Sequence, residues 1–454
     1  MSLPRPLPLA EWTMRNAVRL ATPGLAAPLD DLEPLRRLVG DARVVALGEN
    51  SHQIREFGLM RDRMLRFLVQ ECGFTVYAVE FGAASGRAVD AWVRGHDGDL
   101  DALITPRSDG YPGQSAEGRD TLRWLRAHNA TAPHPVRFAG LDVPAAGGSL
   151  TPVLEPVARY LADVDSGAVH YARTALELSE PLAGGSGLVP AHARLRLDPA
   201  VQDRLSAMLG RLLNRVTVMR EVYVENGGRQ AYENALSDVW AAWRTDQMQR
   251  AMSELLGGAP DAADLATRDR YLADSLFHLL DRSAPGTRIV VSAHNAHIQR
   301  TANPEGGPLA RTPMGYPLAQ ELGTDYVSVA LTSGGGRTVA NVPDPAHPSG
   351  MRQSAADAPE ATPDSVESLF AGVLEAPALV DTRALRTHAR RHGLPEPARI
   401  RMDNGFLPVS ALEAYDAVIS VPRTTLTADF AEAAFTPHAS PQDRPQWRES
   451  VVGH

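Results

Sequence analysis

The sequence contains no lysine; all 45 of its basic residues are arginine. That absence removes Schiff-base catalysis, a pyridoxal phosphate anchor and the Walker A phosphate loop, each of which needs an ε-amine. Its simplest cause is codon bias in a GC-rich genome. Cysteine is nearly absent too. Cys72 stands alone at the apolar end of a helical pattern beside Gly73, which excludes a disulfide framework or a thiolate metal cluster and reads as structural. No apolar run approaches a membrane span, and the first thirty residues lack a charged start followed by an apolar core. No membrane partner is expected, and a cytoplasmic location follows as the default. Positive charge is in deficit, with a net charge of −9. A nucleic-acid partner would need a basic field, so none is expected. The Gly-x-Ser-x-Gly elbow of serine hydrolases is also missing, since Gly185-Ser186-Gly187 lies in a proline-flanked loop.

What is present is an ordinary soluble composition, 44% hydrophobic and 22% charged over 454 residues. The length suits two or three average domains or one enlarged α/β domain. The chain is organised around Val44-Val45-Ala46-Leu47-Gly48-Glu49-Asn50-Ser51-His52. Val44 to Leu47 read as a fully buried strand, Gly48 as the turn at its carboxyl end, and Glu49 and His52 as side chains projecting at the sheet edge. Residues 55–71 then turn helical, with Phe57, Met60, Met64, Phe67 and Leu68 on one face. Residues 74–81 and 136–143 repeat the design, two more buried strands that bring Glu80 and Asp142 to their ends. Strands joined by a helix and closing on acids form βαβ units with chemistry at their mouth.

From residue 150 to about 284 strand signals stop and long helical patterns take over. They carry Tyr223, Trp240, Trp243, Met248 and Met252, residues of a helix–helix core, some of which can instead line a pocket for a bulky apolar substrate, Tyr223 and Trp243 above all. Asp142 is assigned to the same substrate contact. The sheet resumes at residues 288–293, which deliver His294 and His297, and continues at residues 326–331, 378–382 and 417–421. Residues 108–118 and 340–364 read as loops rich in Gly, Pro or Ser. The expected architecture is one α/β domain spanning residues 1–454. It has a mainly parallel central sheet flanked by helices, with residues 150–284 as a helical insertion over the carboxyl edge of the strands.

Glu49, His52, Arg61, Glu80, Asp142, His294 and His297 thus converge from strand ends far apart in sequence. Three histidines and several carboxylates at one edge suit general acid/base catalysis, a zinc or manganese site, or a structural hydrogen-bond network. Nucleophilic alternatives are poor. Cys72 lies at the far end of its helix, and Ser51 reads as the N-cap of the helix that follows. Activated water is the simplest attacking group.

Taken in order, Leu47-Gly48-Glu49-Asn50-Ser51-His52, Glu56-Phe57, Arg61, Ala78-Val79-Glu80 and Ala293-His294-Asn295-Ala296-His297 resemble the erythromycin esterase family. Arg268-Asp269 before Leu272-Ala273, and Tyr415-Asp416-Ala417-Val418-Ile419, extend the resemblance over nearly the whole chain. It implies an α/β core with helical insertions and hydrolysis of a macrolactone ester by water, without a covalent intermediate. His52 would be the general base, Glu49, Arg61, Glu80, His294 and His297 would complete the site, and neither metal nor cofactor would be required. The chain departs from the family pattern at Gln53, where a glycine is usual, and at Asn50, where a smaller residue is common. In the expected mechanism Glu49 or Glu80 holds the His52 imidazole, while Arg61 and a later histidine stabilise the oxyanion. A biosynthetic lyase, isomerase or cyclase is the alternative enzyme, and a binding protein without turnover is the third reading. The substrate is a small molecule in each case; the oligomeric state is not legible.

Overall fold

The computed structural model describes residues 7–21, 24, 27–104, 115–258, 266–303, 312–344, 351–371 and 375–430. Its strands are β1 (Val18–Arg19), β2 (Val44–Leu47), β3 (Val76–Gly82), β4 (Arg137–Asp142), β5 (Ile289–Ser292) and β6 (Tyr326–Ser333). They continue with β7 (Arg337–Pro343), β8 (Met351–Asp357), β9 (Ala378–Asp381), β10 (Arg399–Met402), β11 (Gly405–Pro408) and β12 (Ala417–Val421). Eight of these make one sheet in the order β1-β9-β12-β6-β2-β5-β3-β4. From β12 to β4 all pairings are parallel, and β9 runs antiparallel at the other side.

β2 is apolar at every position because both faces of the sheet are covered. Val45 and Leu47 enter one core with Phe57, Met64 and Phe81, whereas Val44 and Ala46 enter the other with Leu272, Ile298 and Tyr415. β3 and β5 divide their residues in the same way. The helix Arg55–Cys72 follows β2 and ends on Gly73 in the left-handed conformation, a common helix stop. Ser51 does not cap it. The position before the helix is Ile54, which makes no side-chain cap, and Ser51 is wholly buried in the turn. Cys72 is half-buried, and burial raises its thiol pKa.

The block between β4 and β5 contains helices Thr151–Val164, Val169–Ser179, Leu188–Arg194, Pro199–Val218, Arg220–Gly227 and Arg229–Leu256. They build a core of their own from Leu154, Leu161, Leu205, Leu209, Tyr223 and Val239. A link to the carboxyl end of β4 is made by Gln249, whose Nε2 donates to the Gly147 carbonyl at 2.7 Å. The helix Thr267–Arg282 then leads back to β5.

Two expectations for loops are revised. Residues 340–364 include most of an antiparallel hairpin, β7 with β8, in which Arg337 pairs with Asp357 and Val339 with Ala355. The loop reading rested on the Pro, Ala, Asp and Ser content of the stretch. The loop expected over residues 108–118 lies outside the described residues up to 114, and residues 116–118 belong to the helix Ala116–Asn129. Among the described residues, no helix is long and apolar enough to cross a membrane.

Candidate active site

Register places the chemistry. Leu47 of β2 stands level with Ser292 of β5, and Ser292 with Val79 of β3. Glu49, His294 and Glu80 therefore emerge side by side at the carboxyl edge, where open α/β sheets hold their ligands. The β3–β4 register shifts between Val79 and Gly82, so Glu80 sits at a bulge, a device that re-aims a side chain. Gly48 is needed for space: a Cβ there would stand 1.9 Å from Asn295 Oδ1. Asn295 pins the β5 turn by donating its backbone N–H to the Glu49 carbonyl at 2.8 Å and its Nδ2 to the Leu331 carbonyl at 2.8 Å.

Two hydrogen-bonded groups result. In the first, Glu49 Oε1 lies 2.8 Å from His52 Nδ1, and Glu49 Oε2 lies 2.8 Å from Arg61 Nη2. Glu49 and Arg61 are each 2% exposed, whereas the His52 side chain is 41% exposed. Arg61 therefore locks the carboxylate from behind and does not reach the cleft as an oxyanion group. In the second group, Glu80 Oε1 accepts from Arg268 Nη2 at 2.8 Å and lies 3.3 Å from His297 Nε2, while Glu80 Oε2 accepts the His294 backbone N–H at 2.9 Å. Asp269 holds His297 Nδ1 at 2.6 Å. The two groups meet where the His52 and His294 rings approach, with centroids 5.0 Å apart.

The charges follow from these contacts. Burial alone would raise Glu49 and Glu80, but Arg61 and His52 hold Glu49 below its ordinary value, and His297 and Arg268 hold Glu80 well below it. Burial pulls the histidines the other way. Glu49, Glu80 and Asp403 overcome it and lift His52 to about 9, and Asp269 and Glu80 lift His297 to about 10. His294 goes down, through burial and the neighbouring His52.

Of the expected substrate contacts, Asp142 joins the cluster, but both its oxygens grip Arg268, at 3.0 and 2.6 Å, and it is 2% exposed. It positions the guanidinium and has no surface for a substrate. Tyr223 is not brought to the site. It is fully buried in the helical core and donates its hydroxyl to Asp165 at 2.6 Å. Trp243 packs edge-on to Trp240 beneath the Arg244 guanidinium. A helical period marks the buried face of such residues and leaves open what that face meets. Arg268 and Asp269 were visible as a dipeptide motif, although nothing in the motif gave them these partners. Asp403 was missed. Its signal was Asp403-Asn404-Gly405, a turn sequence for a two-residue hairpin, here joining β10 to β11.

A cavity of about 790 Å³ lies elsewhere, along β4, and is lined by Arg87, Arg137, Arg282 and Glu233. These three guanidiniums are paired with Asp238, Asp90 and Glu233. No side chain of the cluster lines it, so the chemistry stays with the cluster. Among the described residues, no group of three His, Cys, Asp or Glu side chains is arranged to hold a metal ion.

The erythromycin esterase family model matches residues 69–424. The chain belongs to that family, and it is an ester hydrolase. Erythromycin esterase type II of Escherichia coli is 32% identical over 403 residues, covering 88% of this chain and 93% of that one. Erythromycin esterase type I of Escherichia coli is 24% identical over 398 residues, covering 86% and 93%. The fold is shared with an erythromycin esterase mutant, EreC, solved in its open conformation (TM-score 0.78, 22% identity, 91% and 98% covered). A succinoglycan biosynthesis protein has the same fold (TM-score 0.71, 20% identity, 92% and 97% covered).

The departure from the family pattern at Gln53 has a conformational consequence. Gln53 has φ of 63°, the left-handed region that costs a residue with a Cβ about 1–2 kcal/mol. Gln53→Gly is expected to hold or raise the thermal midpoint, and Gln53→Val to lower it, since a β-branched residue fits that region worst. Calorimetry checks both, and a Gln53→Gly variant that melts clearly lower would show that the side chain outweighs the strain.

Proposed function

We propose that the chain hydrolyses the lactone ester of a macrolide-class natural product with water activated by His52, without a metal. The observation that carries this reading is the Glu49–His52 pair. Glu49 holds Nδ1, which leaves Nε2 of a partly exposed ring to take a proton from water. The proton that His52 takes from water is then returned to the departing alkoxide, with His294, whose ring lies 5.0 Å away, placed to relay it. Arg61, Arg268, Asp142 and Asp269 fix the carboxylates and His297 around that pair. The names of the two Escherichia coli relatives support a macrolide as the substrate.

A variant in which the two imidazoles exchange roles also has electrostatic support: Glu49, Glu80 and Asp403 raise His52, whereas burial and the neighbouring His52 lower His294. The pH profile of kcat/KM separates them. A His52 base gives a rate that climbs to a limb near pH 9; a His294 base gives a limb on the acid side of an ordinary histidine's.

The overall reaction is tested with a panel of macrolides and simple esters in ¹⁸O-water, read by mass spectrometry. Hydrolysis places one labelled oxygen in the product carboxylate, whereas a lyase or isomerase incorporates none. Exhaustive dialysis against a strong chelator is expected to leave the rate unchanged. Activity that disappears and returns with added zinc or manganese would overturn the metal-free reading.

A further inference from the structure

The hairpin β10–β11 is held against the catalytic turn by a closed set of buried hydrogen bonds. The Asp403 backbone N–H donates to the Asn50 carbonyl at 2.7 Å, and Asn50 Nδ2 donates to Thr332 Oγ1 at 3.1 Å. Thr332 in turn donates to Glu367 Oε1 at 2.6 Å, and the same oxygen accepts the Arg401 backbone N–H at 3.0 Å, two residues before Asp403. The Asp403 carbonyl accepts from Thr338 Oγ1 at 3.1 Å. Asn50, Thr332, Glu367 and Arg401 are all at most 3% exposed. A buried carboxylate and a buried guanidinium are costly ways to hold a surface hairpin, and apolar packing would do as well for stability alone. What this set of contacts fixes is the position of the hairpin tip relative to Asn50, which stands between Glu49 and His52 in the catalytic turn.

At that tip Asp403 adopts φ of 48°, a left-handed conformation that aspartate tolerates in a two-residue turn. Its carboxylate is about a third exposed, and Oδ1 lies 3.9 Å from His294 Nε2. Of the other carboxylates of the cluster, Glu49, Glu80 and Asp142 are each held by an arginine and Asp269 by His297. No arginine contact to the Asp403 carboxylate occurs among the described residues.

We propose that Asp403 is a positioning residue of the hydrolase site: its carboxylate, fixed by the hairpin, orients the His294 ring beside His52 and holds a proton on His294 Nε2. The proposal rests on the hydrolase reading above and adds a member to its machinery from a distant part of the chain. With Nε2 turned to Asp403, Nδ1 is the nitrogen through which His294 exchanges a proton with the reacting group. The separation of 3.9 Å is longer than a hydrogen bond, as catalytic contacts often are before substrate binds. The charged groups facing His294 are His52, His297, Glu80 and Asp403, and those facing His52 are Glu49, Glu80, Asp403 and His294. Arg61 and Arg268 act on the pair through Glu49 and Glu80. Two cations and burial oppose a proton on His294, and Asp403 is the carboxylate set against its ring nitrogen.

The test combines kinetics with a titration that needs no substrate. Asp403→Asn removes the charge at constant shape and is expected to lower kcat by about 10- to 100-fold, the usual effect of losing an orienting partner. In the same variant, NMR of ¹⁵N-labelled histidine should show the His294 titration midpoint moving to lower pH. Asp403→Glu restores a carboxylate and is expected to recover part of both. Unchanged kcat with an unchanged His294 titration in Asp403→Asn would overturn the proposal. So would a loss of kcat with no movement of the titration, because a purely structural residue would behave that way. If Asp403→Asn does not fold, Asp403→Glu decides: a His294 midpoint and kcat no better than in Asp403→Ala overturn it. Should no ester be hydrolysed at all, the titration still tests Asp403 separately from the reaction.

Discussion

His52→Ala is expected to slow turnover by about 10²- to 10⁴-fold, the contribution of a positioned general base. The fold should survive, because the His52 side chain is 41% exposed and sits outside the apolar cores. The loss should depend on pH. The raised His52 puts the wild-type limb near pH 9, with the base form gained as pH rises through that value, so the gap between wild type and variant widens from neutral to alkaline pH. Steady-state kinetics across pH 6–10, with circular dichroism to confirm folding, measures both. Retention of more than about a tenth of the activity at every pH would remove His52 from the mechanism.

Arg268→Ala is expected to have the largest effect on stability. Its guanidinium bonds Glu80 at 2.8 Å and Asp142 at 2.6 and 3.0 Å, and those side chains are 6% and 2% exposed. Removing the cation leaves Asp142 buried without its ion-pair partner and Glu80 with His297 alone, a break of the kind that costs about 3–5 kcal/mol. Activity should fall with it, since Glu80 also holds the His294 backbone N–H and His297. Arg268→Lys keeps the charge but cannot span both carboxylates with one fork, so it should fall between. The triple variant Arg268→Met, Glu80→Gln, Asp142→Asn should recover part of the stability and none of the activity. Thermal and urea unfolding of the series decides. A single Arg268→Ala loss under about 1 kcal/mol would mean that water compensates the carboxylates.

Some of this site was legible in the sequence alone. Glu49 and His52 fall three residues apart on a tight turn, which brings a carboxylate and an imidazole within reach of each other whatever the rest of the chain does. Glu80 and His294 could be placed because each follows an apolar run too continuous for anything but a strand covered on both faces. The partnerships could not be read. His297 takes Asp269 as its orienting acid, Arg61 turns inward to Glu49, and Arg268 bridges Glu80 and Asp142. Each choice is made between side chains of several arginines and acids that are equivalent in sequence.

The sequence by itself determined the parallel core, the acids at the ends of β2, β3 and β4, and the helical block. Those depend on burial of apolar surface and on local turn geometry, both written into neighbouring residues. Only the tertiary structure decided that the block turns Tyr223 into its own core, and that residue 403 returns to face residue 294. Such contacts depend on the register of strands hundreds of residues apart, and on which buried charge finds which partner once water has been excluded.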